Sequence, residues 1–226
     1  GDYDCDGDVD LVVSNADGPL LLYLNNGSGD PFNAVTPTVL IDYSLFGVTS
    51  SDVAMGDISG DSFPDLVVGL LSEANSFMEN NRAGGVVTFL TVGRGIFGGD
   101  ETSVIKLADL NQDGTLDIVE GVDGAPNKLW FNLGPPGSMV GGATGFFDQF
   151  GTSLGNDSSQ TRSIALADIN LDGALDIFAA NGVSANPQEN LLYLSGGAAL
   201  GGGGGAANPF ANSAGMAYVP DLLASS

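Results

Sequence analysis

The chain has 226 residues, of which 43% are hydrophobic, enough to bury one sizeable core or a row of small ones. Its 28 acidic and 5 basic residues give a net charge of −23, which argues against binding to nucleic acid or to an anionic membrane surface, since both need an excess of Lys and Arg. The chain has no His, and no apolar run approaches the roughly 20 residues that span a bilayer.

An aspartate-rich stretch opens the sequence and recurs along it. "DYDCDGDVDL" begins at Asp2, and related stretches begin at Asp57, Asp109 and Asp168, so that the starts lie 55, 52 and 59 residues apart. Each stretch has an oxygen-bearing side chain at positions 1, 3, 5 and 9 of a nine-residue loop, and Leu or Ile follows. Four such loops at nearly even intervals predict a single repeat domain over residues 1–226, with repeats of about 55 residues.

Short apolar runs bounded by Gly, Asn and Asp surround the loops and predict strands. The runs "DVAMG", "VIKLA" and "SIALA" precede loops, and "LVVSN", "LVVGL", "IVEGV" and "IFAAN" follow them. Each loop is therefore expected to be a hairpin connection between two antiparallel strands. An EF-hand does not fit, because it continues to a Glu at position 12 and is flanked by helices.

A third strand with an aromatic residue is expected next, around Tyr23, Trp130 and Tyr193. In the second repeat, "NSFMENNRAGG" is interpreted as an insertion, so that Phe89 takes the place of this aromatic residue. "PTVLIDY" is a candidate for a fourth strand. Three or four short strands in every repeat predict an all-β fold of β-propeller blades with antiparallel strands, in which the aromatic residues pack between blades.

The loop spacing is typical of calcium ligation. Alternate residues of a tight loop turn their oxygens inward, and calcium accepts about six to eight oxygen ligands, including one backbone carbonyl at position 7. We expect about four Ca²⁺ ions, which would reduce the net charge from −23 to about −15. The predicted ligands are Asp2, Asp4, Asp6, Asp8 and Asp10; Asp57, Ser59, Asp61, Phe63 and Asp65; Asp109, Asn111, Asp113, Thr115 and Asp117; and Asp168, Asn170, Asp172, Ala174 and Asp176. The position 7 carbonyls in this set belong to Asp8, Phe63, Thr115 and Ala174.

Magnesium ligation and metal-free turns account for the loops less well than calcium does. Magnesium prefers strict octahedral geometry and retains its water ligands. Asp, Asn and Gly also form turns without any metal, but that accounts for one loop better than for four loops in register. The second loop is expected to bind calcium most weakly, because Ser59 replaces a stronger ligand and Ser62 stands where the other loops have glycine.

The segments "SDVAMGDISGDSFPDLVVG" and "TRSIALADINLDGALDIFAAN", with "LYLNNGSG" after the first loop, resemble the FG-GAP and VCBS repeat families of integrin-like β-propellers. The Phe-Gly pairs that begin at Phe46 and Phe150 fit the same pattern loosely. The resemblance covers most of residues 1–195. It implies blades around an axis, calcium in the hairpin loops, an extracellular or cell-surface location, and binding of proteins or glycans. In enzymes, it implies an accessory role more often than a catalytic one.

The number of repeats and the two ends raise a further question. Propellers of this kind usually have about seven blades, whereas this chain has four repeats. The first repeat lacks the strand expected before its loop. Near the other end, "GMAYVPD" resembles the runs "DVAMGD" and "IALAD" that precede later loops. Residues 215–219 are therefore expected to pair with residues 9–14 and close a four-bladed ring, or to pair with the next copy in a filament; alternatively, the chain is a window cut from a longer array. The Gly-rich residues 196–209 are interpreted as a flexible linker.

These features predict a calcium-stabilised extracellular β-propeller module for adhesion, protein or glycan binding, or self-assembly. A structural subunit of a head-to-tail extracellular filament is one alternative, and a polysaccharide-active enzyme or its accessory domain is another. We expect no catalytic residues, because the acidic residues outside the loops form no recognisable pair and Cys5 is a poor nucleophile among carboxylates. The expected partners are a protein or glycan ligand or copies of the chain itself, without nucleic acid or membrane insertion.

Overall fold

The computed structural model describes residues 1–81, 88–134, 147, 151–156, 158–183, 186–196, 210 and 216–218. Within these residues the chain forms sixteen β-strands and one short 3₁₀ helix, arranged as four antiparallel sheets. The prediction of an all-β chain is confirmed for this part of the protein. The same residues include no helix that is both long enough and apolar enough to cross a membrane.

The strands follow one another in chain order. The first sheet contains β1 (Leu11–Val13), β2 (Pro19–Tyr23) and β3 (Thr38–Asp42), and the 3₁₀ helix (Tyr43–Phe46) follows it. The second sheet contains β4 (Thr49–Gly56), β5 (Asp65–Leu71), β6 (Ala74–Asn81) and β7 (Thr88–Gly98). The third contains β8 (Thr102–Ala108), β9 (Asp117–Val122), β10 (Lys128–Trp130) and β11 (Thr152–Ser153). The fourth contains β12 (Thr161–Ala167), β13 (Asp176–Val183), β14 (Asn186–Pro187), β15 (Asn190–Tyr193) and β16 (Met216–Tyr218).

The second, third and fourth sheets share one plan. In each, the strand before the loop pairs with the strand after it, and a third and a fourth strand follow outward: β4-β5-β6-β7, β8-β9-β10-β11 and β12-β13-β15-β16, with β14 paired to β13. The first sheet has the order β1-β2-β3. The predicted fourth strand "PTVLIDY" is confirmed as β3. Each loop of the later three sheets therefore joins two antiparallel strands, as predicted from the sequence.

Three hydrophobic clusters hold neighbouring sheets together. Successive side chains of a strand point to opposite faces, so Val68 packs towards the first sheet, whereas Val67 packs towards the third. Trp130 and Tyr193 lie in the clusters between the second and third and between the third and fourth sheets, which confirms their predicted role in packing. Burying each large apolar side chain contributes about 1.5–3 kcal/mol, so these clusters dominate the contact between sheets.

The interpretation of the second repeat is wrong in one respect. Residues 74–81 are the third strand itself and not an insertion, and Phe89 lies in the fourth strand, β7. Met78 takes the register position that Trp130 and Tyr193 hold in the later sheets, opposite the first residue after the last aspartate of the loop. A flexible Met side chain fills the same buried space as an aromatic ring. The search for an aromatic residue therefore assigned the third strand to the wrong segment of the second repeat.

The expectation for residues 215–219 is also corrected. Met216–Tyr218 pairs with Asn190–Tyr193 and is the outer strand of the fourth sheet, so it does not take up the expected pairing with residues 9–14. In the described residues, no strand of the fourth sheet pairs with the first sheet, and strand exchange does not close a ring. Residues 215 and 219, and 197–209 of the Gly-rich segment, lie outside the described residues.

Candidate metal centre

Every aspartate-rich loop is closed at its base by backbone pairing. The residue just before position 1 pairs with the aspartate at position 9: Gly56 with Asp65, Ala108 with Asp117, and Ala167 with Asp176. In the first loop, the backbone N–H of Asp10 donates to the carbonyl of Gly1 at 2.6 Å. The same hairpin frame therefore presents the side chains of all four loops.

The aspartate at position 1 organises the backbone of its loop. In the first loop, the carboxylate oxygens of Asp2 accept hydrogen bonds from the backbone N–H groups of Asp6 and Gly7, both at 3.0 Å. Asp57, Asp109 and Asp168 accept the corresponding pair of bonds at 2.9–3.1 Å. Each carboxylate oxygen still has a second lone pair that can coordinate a cation.

The aspartate at position 9 joins the loop to the third strand of its sheet. One oxygen of Asp117 accepts from the backbone N–H of Leu110 at 3.0 Å, and the other accepts from that of Asn132 at 2.8 Å. Asp10, Asp65 and Asp176 make the equivalent pairs of bonds at 2.7–2.9 Å. These four side chains are at most 5% exposed. They therefore act as buried backbone clamps in addition to being candidate ligands.

The aspartate at position 5 orders the second half of the loop. One of its oxygens accepts a hydrogen bond from the backbone N–H at position 7, at 2.9–3.0 Å in every loop. The donors are Asp8, Phe63, Thr115 and Ala174, and the acceptors are Asp6, Asp61, Asp113 and Asp172. That the carbonyls at position 7 ligate calcium stays a prediction.

Position 3 separates the loops into two kinds. In the first two loops its oxygen is buried without a hydrogen-bond partner among the described residues: Asp4 Oδ1 and Ser59 Oγ. In the third loop, the side-chain amide of Asn111 donates to Asp113 at 2.9 Å, and Asn170 does the same to Asp172 at 3.0 Å. The last two loops thus satisfy this position internally, whereas the first two leave an oxygen without the partner that its burial requires.

The first loop fits a hard divalent cation best. One carboxylate oxygen from each of Asp2, Asp4 and Asp10 lies within 4.8 Å of the other two, the distance over which three ligands reach a common ion. Burial, together with the nearby charges of Asp10 and Asp6, raises the pKa of Asp4. Three convergent oxygens with uncompensated negative charge match the ligand preference of calcium. Among the described residues, the other loops have fewer than three convergent acidic side chains because position 3 is Ser or Asn.

Burial also raises the pKa values of two of the four position 9 aspartates, Asp117 and Asp65. The pKa of Asp117 is raised to about 7, mainly by burial and less by the charges of Asp113 and Asp109, while hydrogen bonds from Asn132 and Leu110 oppose the shift. Burial raises the pKa of Asp65 as well. A bound cation would favour the ionised form of these carboxylates and so offset the cost of burying them.

The sequence reasoning missed two asparagines that connect neighbouring sheets. The side-chain amide of Asn132 donates to the carbonyl of Ile58 in the second loop at 3.0 Å and to that of Leu116 in its own loop at 3.1 Å. Asn80 reaches the carbonyl of Tyr3 in the first loop at 3.1 Å. We call Asn80 and Asn132 the sheet-linking asparagines. Their signal was present, because an Asn follows two residues after the Trp or Met of the third strand.

Comparison with known proteins identifies the family to which the repeats belong. A family model described as FG-GAP-like repeat matches residues 2–68 and 109–179, which include the first, second, third and fourth loops. A search of curated proteins found no match. Because the matched segments make up more than half of the chain, it belongs to the FG-GAP-like repeat family.

Proposed function

We propose that the protein is a calcium-stabilised, non-catalytic module of the β-propeller type that works outside the cell and binds protein or glycan ligands. The first loop carries the metal part of this proposal, because the oxygens of Asp2, Asp4 and Asp10 converge there and Asp4 Oδ1 is buried without a hydrogen-bond partner among the described residues. A cation at this point supplies both the missing coordination and the missing positive charge.

Calcium suits this donor set better than a transition metal does. The candidate ligands are carboxylate, hydroxyl, amide and carbonyl oxygens, and the chain has no His. Its single thiol, Cys5, is exposed. Ser59 Oγ makes the second loop the next candidate, since this oxygen is buried without a partner in the described residues. This ranking differs from the expectation from sequence that the second loop binds calcium most weakly. The third and fourth loops would need their Asn side chains to exchange an internal hydrogen bond for the ion.

The extracellular setting is proposed from the family. FG-GAP-like repeats are typical of extracellular domains. Calcium modules in that setting bind with dissociation constants of about 10⁻⁴–10⁻³ M, so the millimolar calcium outside cells would occupy them. A structural role follows, because each ion would collapse an acidic loop that otherwise repels itself, and the binding energy then contributes to folding.

Thermal unfolding in calcium and in excess chelator tests the metal part. We expect the melting temperature to fall in chelator, because a calcium concentration a hundredfold above the dissociation constant adds about 2.7 kcal/mol per site. Asp4→Ala should remove the part of the calcium-dependent gain that the first loop contributes, whereas Asp17→Ala removes the same charge from an exposed turn and should preserve the whole gain. Identical melting curves in calcium and in chelator would refute the proposal.

The ligand part is supported by apolar side chains that the fold leaves in solvent. Leu45 and Phe46 are 78% and 53% exposed on the 3₁₀ helix that follows the first sheet. Because the chain has a net charge of −23, such an exposed apolar pair suits a ligand with both apolar and basic groups. Screening against a glycan array and a panel of extracellular proteins, in calcium and in chelator, is the test. Calcium-dependent retention of a ligand, reduced by Leu45→Ser, is the expected result, and no retention by any member would contradict it.

A further inference from the structure

One position at the end of the third strand differs in chemistry between the second repeat and the other three. It follows the Tyr, Met or Trp that stands opposite the first residue beyond each loop. The residues at this position are Leu24, Glu79, Phe131 and Leu194. Leu24 and Phe131 pack in the hydrophobic clusters between sheets. In the second repeat, a carboxylate therefore replaces an apolar side chain.

Glu79 stands directly across from Asp65, the position 9 aspartate of the second loop. Strands β5 and β6 pair so that Leu66 lies opposite Met78. One further step of this antiparallel register brings Asp65 opposite Glu79, and the backbone N–H of the next residue, Asn80, donates to Asp65 Oδ1 at 2.9 Å. Residues in this relation share one face of the sheet, with Cβ atoms about 4.5–5.5 Å apart.

Two carboxylates placed in this way need a positive charge near both. Like charges directly opposite each other on neighbouring strands are destabilising. Burial, together with the charges of Asp65 and Asp61, raises the pKa of Glu79, so two aspartates of the second loop act on it. The ion pairs within the described residues involve other carboxylates. A cation held by the second loop would supply the charge.

Ser59, at position 3 of the same loop, gives independent evidence that a ligand belongs there. It is 8% exposed, and its Oγ is buried without a hydrogen-bond partner among the described residues. Its backbone N–H donates to Asp65 Oδ2 at 2.9 Å, so Ser59 adjoins the aspartate that stands opposite Glu79. The first loop has Asp4 at position 3. The second loop thus lacks the position 3 carboxylate in the same repeat that has one on its third strand.

We infer that Glu79 is a further ligand of a calcium ion in the second loop, where it replaces the carboxylate that position 3 provides in the first loop. This rests on the proposed calcium-stabilised module, and it adds to one site a ligand from outside the nine-residue loop. With Glu79, the second site has four acidic side chains, as the first loop does at positions 1, 3, 5 and 9, whereas the third and fourth loops have three. The charge of the ligand set is one of the quantities that determine calcium affinity.

Ligation by Glu79 requires its side chain to turn towards the loop. Among the described residues, the first loop has the one group of three acidic side chains whose oxygens lie within 4.8 Å of one another. Glu79 is half-buried and has three rotatable side-chain bonds, so it can turn its carboxylate to an ion between the loop aspartates. Calcium accepts such a ligand directly, in one-oxygen or two-oxygen contact, or through a water molecule.

Calcium titration of the full chain, followed by the NMR signals of backbone amides, tests the inference loop by loop. The amide of Gly60 reports on the second loop, and that of Gly114 reports on the third. Glu79→Gln keeps the shape and removes the charge, so the calcium midpoint at Gly60 should rise by about ten- to a hundredfold while that at Gly114 stays unchanged. Glu73→Gln removes the same charge from the exposed connection between β5 and β6 and should alter neither midpoint.

Two further measurements separate ligation from a purely structural role. Adding Ser59→Asp to the Glu79→Gln variant returns a carboxylate to position 3, so it should restore most of the lost affinity at Gly60. In excess chelator, Glu79→Gln should raise the melting temperature, because it removes a like charge opposite Asp65. In calcium, the same variant should show a smaller calcium-dependent gain than the wild type. A glutamate that only supports the fold would lower the melting temperature in both conditions.

The outcomes distinguish this inference from the proposed function. If the wild type binds calcium and Glu79→Gln leaves the midpoint at Gly60 unchanged, the inference is overturned and the calcium-stabilised module stands. Equal losses at Gly60 and Gly114, or no recovery on adding Ser59→Asp, would overturn the inference as well. A wild type whose amide signals do not respond to calcium in any loop would overturn both.

Discussion

Position 6 of each loop requires a left-handed backbone. The φ angle there is 98° at Gly7, 89° at Gly114 and 88° at Gly173, and it is 73° at Ser62. Glycine adopts this conformation without steric cost, whereas a residue with a Cβ atom is disfavoured by roughly 1–2 kcal/mol. In the second loop the glycine stands instead at position 4, as Gly60 with φ of 78°. At position 6, backbone strain is therefore expected in the second loop, at Ser62.

Replacing Ser62 by glycine should relieve this strain. We expect Ser62→Gly to raise the free energy of unfolding by about 0.5–1 kcal/mol, because the steric gain exceeds the entropy that a new glycine adds to the unfolded chain. Urea unfolding in calcium measures the change. Ser62→Ala retains the Cβ atom and should give no gain. Equal stability of the Gly and Ala variants would show that backbone strain at this position is negligible.

At the scale of the secondary-structure elements, a loop is held to the next sheet by backbone carbonyls as well as by apolar packing. The carbonyl at position 2 of a loop accepts a hydrogen bond from an asparagine of the following sheet, as Ile58 does from Asn132. Asn132 is 1% exposed, and its Oδ1 also accepts from the backbone N–H of Gly134 at 2.9 Å. Three backbone groups therefore depend on this one side chain, including the carbonyl of Leu116.

Asn132→Ala should be strongly destabilising for that reason. Leaving a buried carbonyl or N–H without a partner costs about 1–3 kcal/mol, and the bonds to the carbonyl of Ile58 and the N–H of Gly134 are both buried, so we expect a loss of about 2–6 kcal/mol in urea unfolding. Asn25→Ala is the matched control, because the side-chain bonds of Asn25 in the described residues go to its own loop and turn and not to the loop of another sheet. It should lose about 1 kcal/mol or less. Similar losses in the two variants would mean that the bond between sheets contributes little.

The sequence predicted elements that have a strong local signal. Alternating carboxylates, the glycine at position 6 and the β-branched runs beside them depend on local chemistry, so the loops and their flanking strands could be placed from sequence alone. The third strand of the second sheet could not, because burial there is satisfied by Met78 as well as by an aromatic ring. Met216–Tyr218 could not be assigned to a sheet either, since a short apolar strand fits an outer edge as well as an inner one.

The candidate site shows the same division between local and non-local information. Its positions 1, 3, 5 and 9 could be read from spacing, but the second function of position 9 could not. Asp117 accepts a hydrogen bond from Asn132, which lies just beyond the third strand, 15 residues away, and only the folded sheet brings that donor to it. The difference between Asp4, which lacks a partner for one oxygen, and Asn111, which bonds within its loop, likewise depends on atomic positions.

The whole molecule is a series of sheets in which each shares a core with its neighbours. The three hydrophobic clusters lie between the first and second, second and third, and third and fourth sheets. In such a series, stability is close to a sum of contributions from individual sheets and from the interfaces between them. The position 9 aspartates begin the second strand of the second, third and fourth sheets, so ionisation of these buried carboxylates affects every one of these sheets.

Several buried acidic groups make the calcium-free protein sensitive to pH in one direction. Burial raises the pKa of Asp117 to about 7 from an ordinary value of 3.8. The pKa values of Asp65, Asp4 and Glu79 are also raised, in each case mainly by burial. Between the ordinary and the raised pKa, the folded chain holds a proton that the unfolded chain has released. Stability contributed by these protons is therefore complete at low pH and is lost as the pH rises through the raised value.

Calcium should reverse this dependence. In calcium-free protein, we expect the free energy of unfolding to fall between about pH 4 and pH 7, with Asp117 as the main source. The ion needs ionised ligands, so its stabilising effect grows over the same interval, and the two curves should diverge as the pH rises. Urea unfolding at a series of pH values, with and without calcium, measures both. Asp117→Asn should flatten the calcium-free curve, because it removes the titrating group. Parallel curves with and without calcium would mean that protons and cations do not compete for these carboxylates, and the loops would then owe their shape to hydrogen bonds alone.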